Sequence, residues 1–157
     1  MYLLVVGIDP GKRIGLGVAS GSGPEPEPES RRGWIMADPL EVWRTVLDYR
    51  EVLDRRAERF SEELHMFYVA VEGFFGSGRR NEDNALTTQY VGWFDLACAW
   101  WGYDHSVVVP DARRWKLQTA ADALGKKLSY APTAHDDDDV SALAHALSRY
   151  DKIWRTH

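Results

Sequence analysis

Six acidic residues fall into three groups that lie far apart in the sequence. Asp9 ends an apolar run at residues 2–9, Glu72 interrupts an apolar run at 67–75, and an unbroken row of four aspartates occupies 136–139. Crowded carboxylates raise one another's pKa and cost stability. Bringing them together is favourable when a cation sits between them, and oxygen ligands are what Mg²⁺ and Mn²⁺ prefer. We therefore expect these segments to form a divalent-metal site.

The row of aspartates leaves open which of its members would bind the metal. Asp136 and Asp139 are three residues apart, share one helix face and are our first choice. A register shifted by one residue nominates Asp138 instead. His135 is a further candidate ligand or general base, four residues before Asp139. Acidic residues are also favoured at a helix N-terminus by the helix dipole, so the row alone is compatible with a solvated helix start.

The apolar runs at 2–9 and 67–75 predict two strands that are buried on both faces and adjacent in a sheet. An ionisable residue in such a strand is costly unless it is paired or binds a metal. Asp9 and Glu72 therefore carry more of the hypothesis than the row does. The alternatives are that Asp9 belongs only to an Asp-Pro-Gly turn, and that Glu72 lies at a frayed strand end or pairs with a basic residue.

Further strands are predicted at 14–19, 33–37 and 106–109. Helices are predicted from Asp38 to about residue 64, over 83–101, over the short stretches 112–117 and 120–124, and from the aspartate row onward. This alternation predicts an α/β domain with helices on both faces of a mixed five-stranded sheet. A Pro/Glu-rich connection at about 21–33 is expected to be an extended insertion loop.

Composition indicates one domain over residues 1–157, because the chain is 45% apolar and shows no linker. It has no apolar run of membrane-spanning length, no signal-peptide pattern, and a single cysteine, Cys98, so we expect a cytoplasmic protein. The net charge of −5 is unusual for a protein that binds nucleic acid. The positive residues are clustered, however, so the net charge does not exclude a locally basic face.

Residues 7–11 (GIDPG) followed by 15–19 (GLGVA) resemble the opening of the RuvC-type Holliday junction resolvases, which belong to the RNase H-like superfamily. Val71 and Glu72, with Phe75 three residues later, resemble the second motif of this family. The last helix occupies the place of the family's closing acidic helix. The resemblance covers nearly the whole chain and implies an RNase H-like fold.

The resemblance implies a crossover junction endodeoxyribonuclease of DNA recombination and repair, which resolves four-way junctions by metal-dependent phosphodiester hydrolysis. Two Mg²⁺ or Mn²⁺ ions would be held by Asp9, Glu72 and the C-terminal aspartates. A homodimer making paired nicks is expected, because the junction has two-fold symmetry. The candidate interface is an aromatic stripe on the second helix: Tyr90, Trp93, Ala97 and Trp100.

The resemblance also implies DNA contacts. Phe74 or Phe75 would stack on an unpaired base at the junction centre. Basic residues would hold phosphates, and the candidates are Arg79, Arg80, Arg113, Arg114, Lys116, Lys126 and Lys127.

The chain also departs from the family pattern. The family closes with an acidic residue or His, two intervening residues and Asp, and one alignment places Ser141 where that last Asp is expected. The insertion at 21–33 would suit a phage-type member. Two other classes stay open: an RNase H-like nuclease acting on flaps or RNA–DNA hybrids, and a non-catalytic relative that binds nucleic acid or nucleotides.

Overall fold

The computed structural model describes residues 1–73, 82–108, 114–128 and 138–157. Five strands form one sheet in the order β3-β2-β1-β4-β5. They are β1 (Tyr2–Asp9), β2 (Ile14–Gly21), β3 (Arg32–Met36), β4 (His65–Glu72) and β5 (Asp104–Val108). The first three strands pair antiparallel, whereas β4 is parallel to both β1 and β5. The prediction of a mixed five-stranded sheet with the Asp9 and Glu72 strands adjacent is confirmed.

Within the described residues, four helices cover the two faces of this sheet. They are α1 (Pro39–Arg59), α2 (Glu82–Trp101), α3 (Arg114–Ala123) and α4 (Asp138–Thr156). Leu4, Val6 and Ile8 of β1 face a core shared with α1 and α2. The alternate residues Leu3 and Val5 face a core shared with α3 and α4. This alternation is the consequence of the two-residue period of a strand.

Three helix predictions were wrong in their bounds. The first helix ends at Arg59 and not near residue 64, with Phe60 as its C-cap. The two short helices predicted at 112–117 and 120–124 are one helix, α3, because the residues between them include neither Gly nor Pro to break it. The turn after α3 contains Gly125 at a φ of 64°, a left-handed conformation that glycine adopts without steric cost.

The glycines of β1 and β2 allow α4 to lie directly on the sheet. A Cβ atom at Gly17 would overlap the backbone of Leu143, and one at Gly15 would overlap the backbone carbonyl of Asp138. A side chain at either position would push the helix away, because protein interiors have no spare volume for it. The contact at Gly15 brings the first turn of α4 to the end of the sheet where β1 ends.

The Pro/Glu-rich insertion is folded back on the domain and does not run as one extended stretch. It contains a 3-10 turn, Pro28–Ser30. The Ser30 hydroxyl donates to the Ser20 carbonyl at 2.7 Å and accepts from the Ser20 amide at 2.9 Å. The Tyr150 hydroxyl of α4 donates to the Gly23 carbonyl at 2.7 Å. Polar groups of β2 and α4 therefore hold the insertion in place.

Among the described residues, every helix is too short or too polar to cross a lipid bilayer.

Candidate metal centre

Asp9 and Glu72 lie at the same edge of the sheet. Asp9 is the last residue of β1 and Glu72 is the last residue of β4. The two strands are parallel neighbours, and their last paired residues are Ile8 and Val71. Asp9 directly follows Ile8 and Glu72 directly follows Val71, so the two acidic side chains lie next to each other.

Asp138 joins these two residues from the other side of β1. Asp9 is paired with Gly15 across the β1–β2 ladder, and Gly15 is in contact with the backbone of Asp138. The Asp138 carboxylate is close enough to Asp9 to raise its pKa. Three elements, β1, β4 and α4, thus contribute one carboxylate each to the same edge of the sheet.

The pKa of Asp9 is raised well above its ordinary value. Burial is the main cause, and the nearby carboxylates of Glu72 and Asp138 raise it further. A hydrogen bond with Glu72 acts in the same direction, whereas a hydrogen bond with Ser141 lowers the pKa. Holding three carboxylates here in their charged form is unfavourable without a compensating positive charge.

Glu72 is held by two side chains of α4. The Ser141 hydroxyl donates to Glu72 Oε2 at 3.1 Å. The Nε2 atom of His145 lies 2.8 Å from the same oxygen, and the His145 residue is 5% exposed. Ser141 and His145 follow Asp138 by three and seven residues, which places all three on one face of the helix.

Asp139 is used differently from its neighbour Asp138. Its side chain is buried, its Oδ1 accepts from the Val140 amide at 2.9 Å, and its Oδ2 lies 2.7 Å from Lys126 Nζ. A Cβ atom at Gly33 of β3 would contact the Asp139 side chain, so Asp139 lies toward β3. Of the two registers left open by the sequence, the geometry brings Asp138 to Asp9. Asp136 and His135 lie outside the described residues.

The candidate DNA-contacting lysines have different surroundings. The Lys116 side chain is only 12% exposed and lies 3.9 Å from the Asp151 carboxylate, and burial lowers its pKa. Lys126 forms the ion pair with Asp139, and Lys127 is exposed. The backbone of Arg114 is described, but its side chain is not. The remaining candidates lie outside the described residues: Phe74, Phe75, Arg79, Arg80 and Arg113.

His145 is a residue of this site that the sequence reasoning missed. It lies in an Ala/Leu-rich stretch of α4 that packs on the sheet. A histidine buried among apolar residues needs a hydrogen-bond partner. That requirement, together with the four-residue spacing from Ser141, is the signal that would have identified it.

The donor set fits a divalent cation such as Mg²⁺ or Mn²⁺. Carboxylate oxygens are the preferred ligands of these ions, and a cation would relieve the repulsion that raises the pKa of Asp9. In the part of the chain that the structure describes, no three His, Cys, Asp or Glu side chains already converge as a metal-binding group. The carboxylates are neighbours that a cation would have to draw together.

The aromatic stripe of α2 is divided between the core and the surface. Tyr90 and Ala97 are half-buried against the core formed with α1. Trp93 meets Trp43 edge to face, with ring centroids 6.2 Å apart. Trp100, in contrast, is 85% exposed. Only part of the predicted interface stripe is therefore available to a partner.

No protein-family model and no curated protein sequence matches the chain. Among solved structures it is similar to Thermus thermophilus RuvC in complex with a Holliday junction substrate, with 22% identity, a TM-score of 0.50 and 96% of each chain covered. It is also similar to T. thermophilus RuvC alone, with 20% identity, a TM-score of 0.48 and coverage of 98% of this chain and 96% of that one. A member of the Ppx/GppA family from Aquifex aeolicus matches with 14% identity, a TM-score of 0.35 and coverage of 81% and 41%. The likeness to the junction-bound protein shows the fold, and it confirms the predicted RNase H-like α/β architecture.

Proposed function

We propose that this chain, which has the fold of RuvC, is a divalent-metal-dependent endonuclease that cuts four-way DNA junctions. The observation that carries the proposal is that Asp9, Glu72 and Asp138 are neighbours at one edge of the sheet. Like-charged side chains from three elements are brought together at a cost to stability, and a cation-dependent reaction at this place explains the cost. The structurally similar T. thermophilus RuvC is described in complex with a Holliday junction substrate, which supports a branched DNA as the substrate class.

Asp9, Glu72 and Asp138 would hold the metal, and Asp136 stays a proposed further ligand from the sequence. A bound divalent ion supplies charge neutralisation and Lewis-acid chemistry for phosphodiester hydrolysis. Ser141 and His145 both lie within hydrogen-bond distance of Glu72 Oε2. Asp139 neutralises Lys126 in this proposal and is outside the ligand set.

The DNA would be held by the basic side chains already named as candidates. Exposed Lys127 lies in the segment after α3 and would contact phosphates together with Arg79, Arg80 and Arg113. Such contacts are independent of sequence and weaken as salt is added. Phe74 or Phe75 would stack on an unpaired base.

Two copies of the chain would act together on a junction. The support is the outer face of α2, where Leu96 is 66%, Trp100 is 85% and Trp101 is 52% exposed. Large apolar side chains in that number on one helix are unusual for a surface that faces only water. A two-fold dimer buries the same patch from both subunits and presents two active sites to a two-fold junction.

The test of the proposed activity is a nicking assay with end-labelled synthetic substrates of equal length. A four-way junction, a three-arm fork, linear duplex and an RNA–DNA hybrid are each incubated with the protein in Mg²⁺, in Mn²⁺ and in EDTA. We expect nicks in the four-way junction with either metal and none in EDTA. Preferential cutting of the fork or the hybrid would show that this substrate, and not the four-way junction, is the one that the protein cuts. Cutting in EDTA would contradict the metal centre.

A further inference from the structure

His145 has an unusual position for a titratable side chain. It lies in the middle of α4, where its neighbours Ala144 and Ala146 are fully buried against the sheet. Its own residue is only 5% exposed, and its Nε2 atom is 2.8 Å from Glu72 Oε2. Burying an imidazole in such a setting is costly unless a hydrogen bond compensates it. The compensating partner is a carboxylate at the end of β4.

The same oxygen of Glu72 also accepts the hydroxyl of Ser141 at 3.1 Å. The α4 face next to Glu72 therefore carries a serine hydroxyl and a histidine ring nitrogen, and Ser141 stands where one alignment led us to expect a further acidic residue. The cluster has three carboxylates, Asp9, Glu72 and Asp138, supported by a histidine and a serine. A serine at this position places one fewer negative charge beside Asp9 and Glu72 than an aspartate would.

We infer that His145 is a positioning residue that donates its Nε2 hydrogen to Glu72 and holds this carboxylate ready for a divalent cation. The inference rests on the proposed metal-dependent function of the same site. Donors that orient a ligating carboxylate act on metal affinity although they do not touch the metal, and their removal typically weakens binding about 10- to 100-fold. A hydrogen bond to a carboxylate is also stronger than one between neutral groups.

The first experiment compares three substitutions of His145. His145→Phe keeps the ring volume and removes the donor. His145→Gln keeps an amide N–H that can reach Glu72, whereas the side chain of His145→Asn is too short to reach it. The dissociation constant for Mn²⁺ is measured by titration calorimetry without DNA, at a temperature well below the melting temperature of each variant. We expect the Phe and Asn variants to bind Mn²⁺ about tenfold more weakly than the unaltered chain, and the Gln variant to bind within about threefold of it.

His105 provides a matched control. Its Nε2 atom lies 2.9 Å from Asp95 Oδ1, so it is also a histidine bonded to a carboxylate. In the sheet His105 is paired with Val69 of β4, which lies three residues before Glu72. Its carboxylate partner, Asp95, belongs to α2. His105→Phe should leave the Mn²⁺ dissociation constant unchanged. Its effect on melting temperature shows what the loss of such a contact does when the site is not involved.

A second experiment tests the contact without metal. The unfolding free energies of His145→Phe, Glu72→Gln and the double variant are measured in EDTA. If the two side chains hold each other, the loss in the double variant differs from the sum of the single losses. Additive losses would overturn the inferred contact. If the Phe variant does not fold, the Asn variant takes its place in the cycle.

The outcomes separate this inference from the proposed function. If the unaltered chain, the Phe variant and the Asn variant all bind Mn²⁺ with the same affinity, the positioning role is overturned and the proposed metal centre is supported. If the Gln variant binds Mn²⁺ as weakly as the Phe variant does, the proposed hydrogen bond to Glu72 is also contradicted. Absence of Mn²⁺ binding by the unaltered chain would overturn both.

Discussion

Asp138 and Asp139 are neighbours in the sequence, yet their surroundings differ completely. Asp138 lies beside Asp9 and contributes to its raised pKa, whereas Asp139 is buried with its Oδ2 2.7 Å from Lys126 Nζ. Successive helical residues point about 100° apart, as the 3.6-residue turn requires. One aspartate therefore faces the sheet edge and the other faces β3.

Replacing each of these two aspartates by asparagine, one at a time, gives a matched pair of variants. We expect Asp138→Asn to weaken Mg²⁺ binding tenfold or more, because it removes one of three carboxylates. Asp139→Asn should leave Mg²⁺ affinity within about twofold and lower the free energy of unfolding by about 1–3 kcal/mol, because Lys126 loses a charged partner. Calorimetric titration and denaturant unfolding measure the two effects. Loss of Mg²⁺ binding in the Asp139 variant alone would show that the other register is right.

The sequence was informative about Asp9 and Glu72 because each is a single charge in an otherwise apolar strand. It was ambiguous about the row of aspartates, because their helix register depends on where α4 meets the sheet. That point is set by contact of Gly15 with the Asp138 backbone, a long-range contact with no local signal. His145 was missed for a related reason, since its partner Glu72 is 73 residues away in the chain.

At the scale of elements, α4 depends on glycine in the strands beneath it. The apolar runs and capping residues were enough to predict the strands and the regions that are helical, although not every helix end, because those signals are local. The close packing of α4 against β2 and the fold of the 21–33 insertion were not predictable in this way. The insertion is held by Ser30 and Tyr150 through hydrogen bonds to distant backbone groups.

Gly17→Ala tests the close approach of α4 to the sheet. A methyl group there would overlap the backbone of Leu143, so we expect a loss of about 1–3 kcal/mol in unfolding free energy, the usual cost of overpacking. Gly92→Ala in α2 is the control, because nothing lies within 4 Å of the added atom. The control should gain up to about 1 kcal/mol from helix propensity. Equal stability of the two variants would contradict the packing argument.

At the scale of the whole molecule, the proposed paired cutting of a two-fold symmetric junction requires two copies of the chain. We expect sedimentation equilibrium at micromolar concentration to give the mass of a dimer. Leu96→Glu should shift this mass to that of a monomer, because it places a charge in the exposed apolar face of α2. Val52→Glu changes a residue of similar exposure, 56% against 66%, on α1 and should stay dimeric. A monomeric mass for the unaltered chain would contradict the dimer.

We propose that the acidic cluster at the sheet edge cuts DNA junctions. The most direct measurement is single-turnover cleavage of a four-way junction in Mg²⁺ by the unaltered chain, by Asp9→Asn and by the control Asp48→Asn on α1. We expect the Asp9 variant to bind the junction within a few fold of the unaltered chain while its cleavage rate falls at least about 100-fold, and the control to cut normally. Cleavage by the Asp9 variant at the unaltered rate would contradict the account.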